Sequence, residues 1–66
     1  MLKRVKIKEL QPADYCLING HRYKVYGRVM RDNQLMVAVY EDRLNQMKRK
    51  LSYLELEMEV LIDVNS

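Results

Sequence analysis

The dipeptide Asn19-Gly20 constrains this chain more than any other feature. Both residues tolerate the positive φ angles of a type I′ turn, and strand-like runs flank them: Tyr15-Cys16-Leu17-Ile18 before, His21-Arg22-Tyr23-Lys24-Val25 after. A two-residue loop fixes the register, so Ile18 pairs with His21, Cys16 with Tyr23 and Asp14 with Val25. The register sorts side chains by face. Cys16, Ile18, Tyr23 and Val25 share one face, with Val29 beyond them; Tyr15, Leu17, Arg22, Lys24, Tyr26 and Arg28 share the other. The first set reads as core, and Gly27 inside the strand pattern marks a bulge or bend.

The remaining elements follow from periodicity. Arg4 to Lys8 alternate with Val5 and Ile7 inward, the pattern of an edge strand, and Gln11-Pro12-Ala13-Asp14 then forms a turn because proline gives no ladder hydrogen bond. Arg31-Asp32-Asn33-Gln34 is a polar turn, and Leu35 to Tyr40, apolar on both faces, reads as a central strand. Residues 53–64 alternate again, with Leu54, Leu56, Met58, Val60, Ile62 and Val64 on one face. Between them, Asp42 to Lys50 fits a short helix begun by Asp42, with Leu44, Met47 and Leu51 inward.

A second pattern competes for the C-terminal third. Leu44, Met47, Leu51, Leu54, Met58 and Leu61 also fit an unbroken heptad, which would make one long helix behind an antiparallel meander, an α+β fold. That helix would expose Leu56 and set Glu55 against Glu59 one turn apart, whereas the strand exposes less apolar surface. The preferred fold is therefore mainly β: residues 1–66 as a single five-stranded, SH3-like barrel with a short helix before the last strand.

Size limits what such a fold can do alone. A core drawn from 66 residues gives marginal stability, and the single Cys16 excludes an internal disulfide, so self-association is the expected supplement. One cysteine in so short a chain also points to a reducing, cytoplasmic setting. Val5-Lys6-Ile7-Lys8-Glu9 stands where a signal peptide would need an apolar core, and no apolar run approaches the roughly twenty residues of a membrane span. Charge is uneven: residues 1–40 carry eight Lys or Arg against three acids, and the remainder carries four against six.

The run Leu10-Gln11-Pro12-Ala13-Asp14-Tyr15-Cys16-Leu17-Ile18-Asn19-Gly20-His21-Arg22-Tyr23-Lys24-Val25 resembles the opening hairpin of KOW-type barrels, in particular the N-terminal domain of the elongation factor P family. The resemblance spans about a quarter of the chain and implies a small barrel used near ribosomes or RNA. Those factors carry a Gly-rich loop with a modified lysine where this chain has Arg31-Asp32-Asn33-Gln34, so no lysine carries over. They also continue into further domains, and translation-factor activity is not implied.

Among candidate sites, the face bearing Tyr15, Arg22, Lys24, Tyr26 and Arg28 interleaves aromatic and basic groups. Rings stack on unpaired bases and cations track phosphates, which suits RNA or single-stranded DNA; the plainer reading is a solvated strand face. Lys48, Arg49 and Lys50 would add phosphate contacts or keep a loop soluble. Glu55, Glu57 and Glu59 form an acidic row that would meet a basic protein partner, and strand addition offers a second route to a protein. Cys16 and His21 lie diagonally across the hairpin without a third group, too few for structural zinc or a nucleophilic triad. No enzyme site, metal site or cofactor motif is expected, and Cys16 reads as core.

Overall fold

A computed structural model describes residues 1–43 and 50–64. The elements are β1 (Leu2–Lys6), a 3₁₀ turn (Ile7–Glu9), β2 (Tyr15–Ile18), β3 (His21–Arg31), β4 (Gln34–Glu41), β5 (Leu51–Glu55) and β6 (Glu59–Asp63). They form one antiparallel sheet in the order β1-β6-β2-β3-β4-β5. The mainly β expectation holds. Among the described residues the strands number six, not five, and the sheet is not closed: it ends on β1 at one side and β5 at the other.

Local chemistry accounts for the hairpins. Asn19 and Gly20 take φ of 52° and 79°, and Asp32 and Asn33 take 50° and 63°, so both loops have two residues of positive φ, matching the strands' twist. The β2–β3 register is the expected one, with Ile18 opposite His21 and Cys16 opposite Tyr23. It continues into the Pro12 turn, where Val25 N–H donates to Asp14 O at 2.8 Å and Ala13 N–H to Val25 O at 2.9 Å.

Two expectations for the C-terminal third are corrected. The long helix is excluded, because Leu51–Glu55 and Glu59–Asp63 are strands. The single strand expected over 53–64 instead turns a corner at residues 56–58, where Met58 N–H donates to Glu55 O at 3.0 Å. Ile7 and Lys8 hold that corner by donating their N–H groups to Met58 O and Leu56 O. Asp42 extends the β3–β4 ladder by donating its N–H to Arg22 O at 2.9 Å. Most of the expected 42–50 helix, including Leu44 and Met47, lies outside the described residues.

The core lies on one face of the curled sheet. Ile7, Cys16, Val25, Val37, Val39 and Val60 are buried together, with Val5, Leu10, Ile18, Tyr23, Leu54, Leu56 and Ile62 packed against them. Leu54, Leu56, Val60 and Ile62 thus face inward as the alternation requires, while Met58 and Val64 are exposed. Strand β4 is central as expected, for Val37, Ala38, Val39 and Tyr40 are all buried. No polar side chain is buried among the described residues.

A bulge reverses the faces of β3. Val25 pairs with Val39 and Gly27 with Ala38, which leaves Tyr26 as the extra residue. Beyond it the alternation shifts by one. Arg28 stands opposite core residue Val37, and Val29 stands opposite Met36, reversing the sides expected for both.

Candidate functional site

The outer face of β2 and β3 carries the aromatic and basic groups that survive this shift. Tyr15 pairs with Lys24, and Leu17 pairs with Arg22. Arg22 Cζ lies 3.8 Å from the centroid of the Tyr15 ring and Lys24 Nζ lies 5.3 Å from it, so two cations share one aromatic ring. Tyr15 is 40% exposed, and Tyr26, at the bulge, is 56% exposed. Arg22 is held loosely from the other side, its Nε 3.9 Å from Asp42 Oδ2.

Arg28 does not join this face. Its Nη2 donates a 2.7 Å hydrogen bond to Lys8 O, tying the 3₁₀ turn to β3. In its place, a pair that sequence reasoning missed stands on the outer face: Arg31 Cζ lies 4.0 Å from the Tyr53 ring centroid. The bulge brings Arg31 to the outer side, and Tyr53 opposes Ala38 there. Lys50 is exposed before β5, and Lys48 and Arg49 lie outside the described residues.

The acidic row is divided and mostly engaged. Glu55 ends β5, Glu57 sits in the corner and Glu59 opens β6. Lys6 Nζ and Lys8 Nζ donate to the two oxygens of Glu57 at 2.8 and 2.6 Å, and Arg4 lies 3.8 Å from Glu59. The hydrogen bonds from Lys6 and Lys8 hold the Glu57 carboxyl down at about 2, and Glu57 in turn raises Lys6. Glu55 remains exposed.

Cys16 and His21 go separate ways. Burial pushes the Cys16 thiol up to about 11, which suits a core residue and not a nucleophile, and His21 Nδ1 sits 3.5 Å from Glu41 Oε2. Among the described residues no three His, Cys, Asp or Glu side chains converge as metal ligands.

Next to the Tyr15–Arg22 stack the sheet is parted. Strands β2 and β6 share one register pair, Leu17 with Leu61, and from there toward Tyr15 they separate around a cleft of about 570 Å³. Leu10, Asp14, Tyr15, Arg22, Ile62 and Asp63 are among the residues that line it.

The fold and this surface together define an open, curled antiparallel sheet with a cation-stacked aromatic face. Comparison with known proteins matches the chain to no family model, no curated protein and no solved structure. Among the described residues no helix is long and apolar enough to cross a membrane.

Proposed function

We propose that this chain is a small, non-enzymatic binding module that takes RNA or single-stranded DNA on the outer face of β2 and β3. The carrying observation is the stack of Arg22 and Lys24 over Tyr15. A guanidinium plane laid on an exposed ring offers an unpaired base a flat platform, and the two cations beside it meet the phosphates. Tyr26 adds a second exposed ring, and the Arg31–Tyr53 pair repeats the same chemistry further along the face.

The fold is an opened relative of the SH3-like, KOW-type barrels. The corner at 56–58 supports this, since it carries the chain from the β5 edge to a place between β1 and β2. A cytoplasmic setting fits the single, buried Cys16.

Fluorescence anisotropy with labelled single-stranded RNA and DNA across a salt series tests the reading. Binding should weaken linearly in log salt, and Lys24→Ala should reduce the slope by about 0.7, the loss of one phosphate contact on a single strand. Tyr15→Ala should weaken binding several-fold or more at every salt concentration. Absence of salt-sensitive binding at low ionic strength eliminates the proposal.

A second reading, a protein adaptor or inhibitor acting by strand addition, is favoured by the open sheet: β5 has β4 on one side and no further strand on the other among the described residues. The acidic-face version of that reading is weaker, because Glu57 and Glu59 already have partners on β1 and in the 3₁₀ turn.

A further inference from the structure

Strand β5 borders the sheet, and the direction of its backbone groups follows from its neighbours. Asp42 N–H donates to Arg22 O, so Asp42 and, by alternation along β4, Tyr40 and Ala38 turn their backbone groups toward β3. Val39 and Val37 turn theirs toward β5, where Ser52 and Leu54 stand opposite them. Leu51 and Tyr53 therefore direct their N–H and C=O groups out of the sheet, and no strand among the described residues pairs with them. The two borders differ in charge. Strand β1 carries Lys3, Arg4 and Lys6 within five residues, a device by which an open edge repels its like. Strand β5, Leu51-Ser52-Tyr53-Leu54-Glu55, has neither a cation nor a proline to keep another strand away.

We infer that β5 pairs antiparallel with β5 of a second copy of this chain, about a two-fold axis at Ser52. The edge is complementary to itself in this register: Leu51 of each copy lies opposite Tyr53 of the other, and the two exchange N–H and C=O bonds in both directions. Every outward group of Leu51 and Tyr53 is then satisfied, and leucine meets an aromatic ring, a favourable cross-strand pair. Lys50, exposed before β5, falls opposite Leu54 of the other copy, which keeps the two Lys50 cations apart. A register centred on Tyr53 instead sets Leu51 against Glu55, whose carbonyl already accepts the Met58 N–H. The axis stands perpendicular to the sheet, so the outer faces of both copies, each with its Arg31–Tyr53 stack, lie on one side. The pairing stands apart from the nucleic-acid reading above, and it supplies the association that so small a core calls for.

Sedimentation of the full chain from micromolar to millimolar concentration, together with cross-linking, tests the pairing. The mass should double over that range. A chain synthesised with N-methyl-tyrosine at position 53 keeps the ring and loses the outward donor, so it should remain monomeric with the parent's circular dichroism. Ser52 of the two copies forms a non-hydrogen-bonded pair with Cα atoms about 4.5 Å apart, within the roughly 4.4–6.8 Å that a disulfide spans. Ser52→Cys, with the buried Cys16 left in place, should therefore oxidise to a covalent dimer at least about tenfold faster than Lys3→Cys on β1, because pairing raises the effective concentration of the two thiols. A monomer at millimolar concentration overturns the inference, as it would if the edge were covered within one chain. Growth beyond a dimer overturns it in favour of β1 joining β5 head to tail, and equal oxidation of the two cysteine variants overturns the register.

Discussion

Replacing Gly27 with L-alanine isolates the backbone energy of the β3 bulge. Gly27 has a φ of 155°, a region nearly closed to L-residues, yet a Cβ built there meets no atom within 4 Å. The cost is therefore conformational and not steric. Holding an L-residue in a glycine-only region costs about 1–3 kcal/mol, and the loss of glycine's freedom in the unfolded chain returns about 0.4–1 kcal/mol. The net loss is about 0–2.6 kcal/mol with a midpoint near 1.3, which in a chain of this size lowers the melting temperature by roughly 5–10 °C at that midpoint. Thermal unfolding followed by circular dichroism measures it. A chain synthesised with D-alanine at position 27 provides the control, since a D-residue favours positive φ and should melt at or above the parent temperature. An L-alanine variant that melts with the parent, or two alanine variants that fall equally, would refute the argument from backbone sign.

Two further perturbations probe charge and burial. Glu57 lies between Lys6 and Lys8, and its depressed value of about 2 means that its stabilising effect is complete above the ordinary value of 4.5 and fades as pH falls toward 2, where the unfolded chain binds the proton more readily. Urea midpoints taken from pH 6 downward should drop across that window, and Glu57→Gln should flatten the drop; parallel curves would count against the ion pairs. Cys16, buried and pushed up to about 11, should react with a thiol-specific disulfide reagent far more slowly at pH 8 in the native protein than in urea, and equal rates would place it outside the core.

What the sequence disclosed and what it withheld divide along the range of the interactions. The Asn19-Gly20 and Asp32-Asn33 loops and the buried β4 run were legible because each is decided within a few residues. The corner at 56–58 was not, since Leu54, Leu56, Val60 and Ile62 keep a period of two straight through it and neither Gly nor Pro marks the turn. Gly27 announced a bulge, but the sequence does not say that the extra residue moves Arg28 to the side of Val37, because that depends on pairing with β4. The same limit hid the Arg31–Tyr53 stack, which is assembled across three strands, and the capture of Glu57 by Lys6 and Lys8 from the opposite end of the chain. Of the candidate site, Tyr15, Arg22 and Lys24 were readable from one hairpin register, and the cleft beside them was not.

The pairing of β1 with β6 has a kinetic corollary. The β2–β3 and β3–β4 ladders each close over two residues, whereas Leu2 to Lys6 must find Glu59 to Asp63 across nearly the full length of the polypeptide. The entropy of loop closure rises with length, so the central hairpins are the natural nucleus and the terminal clasp is fastened last.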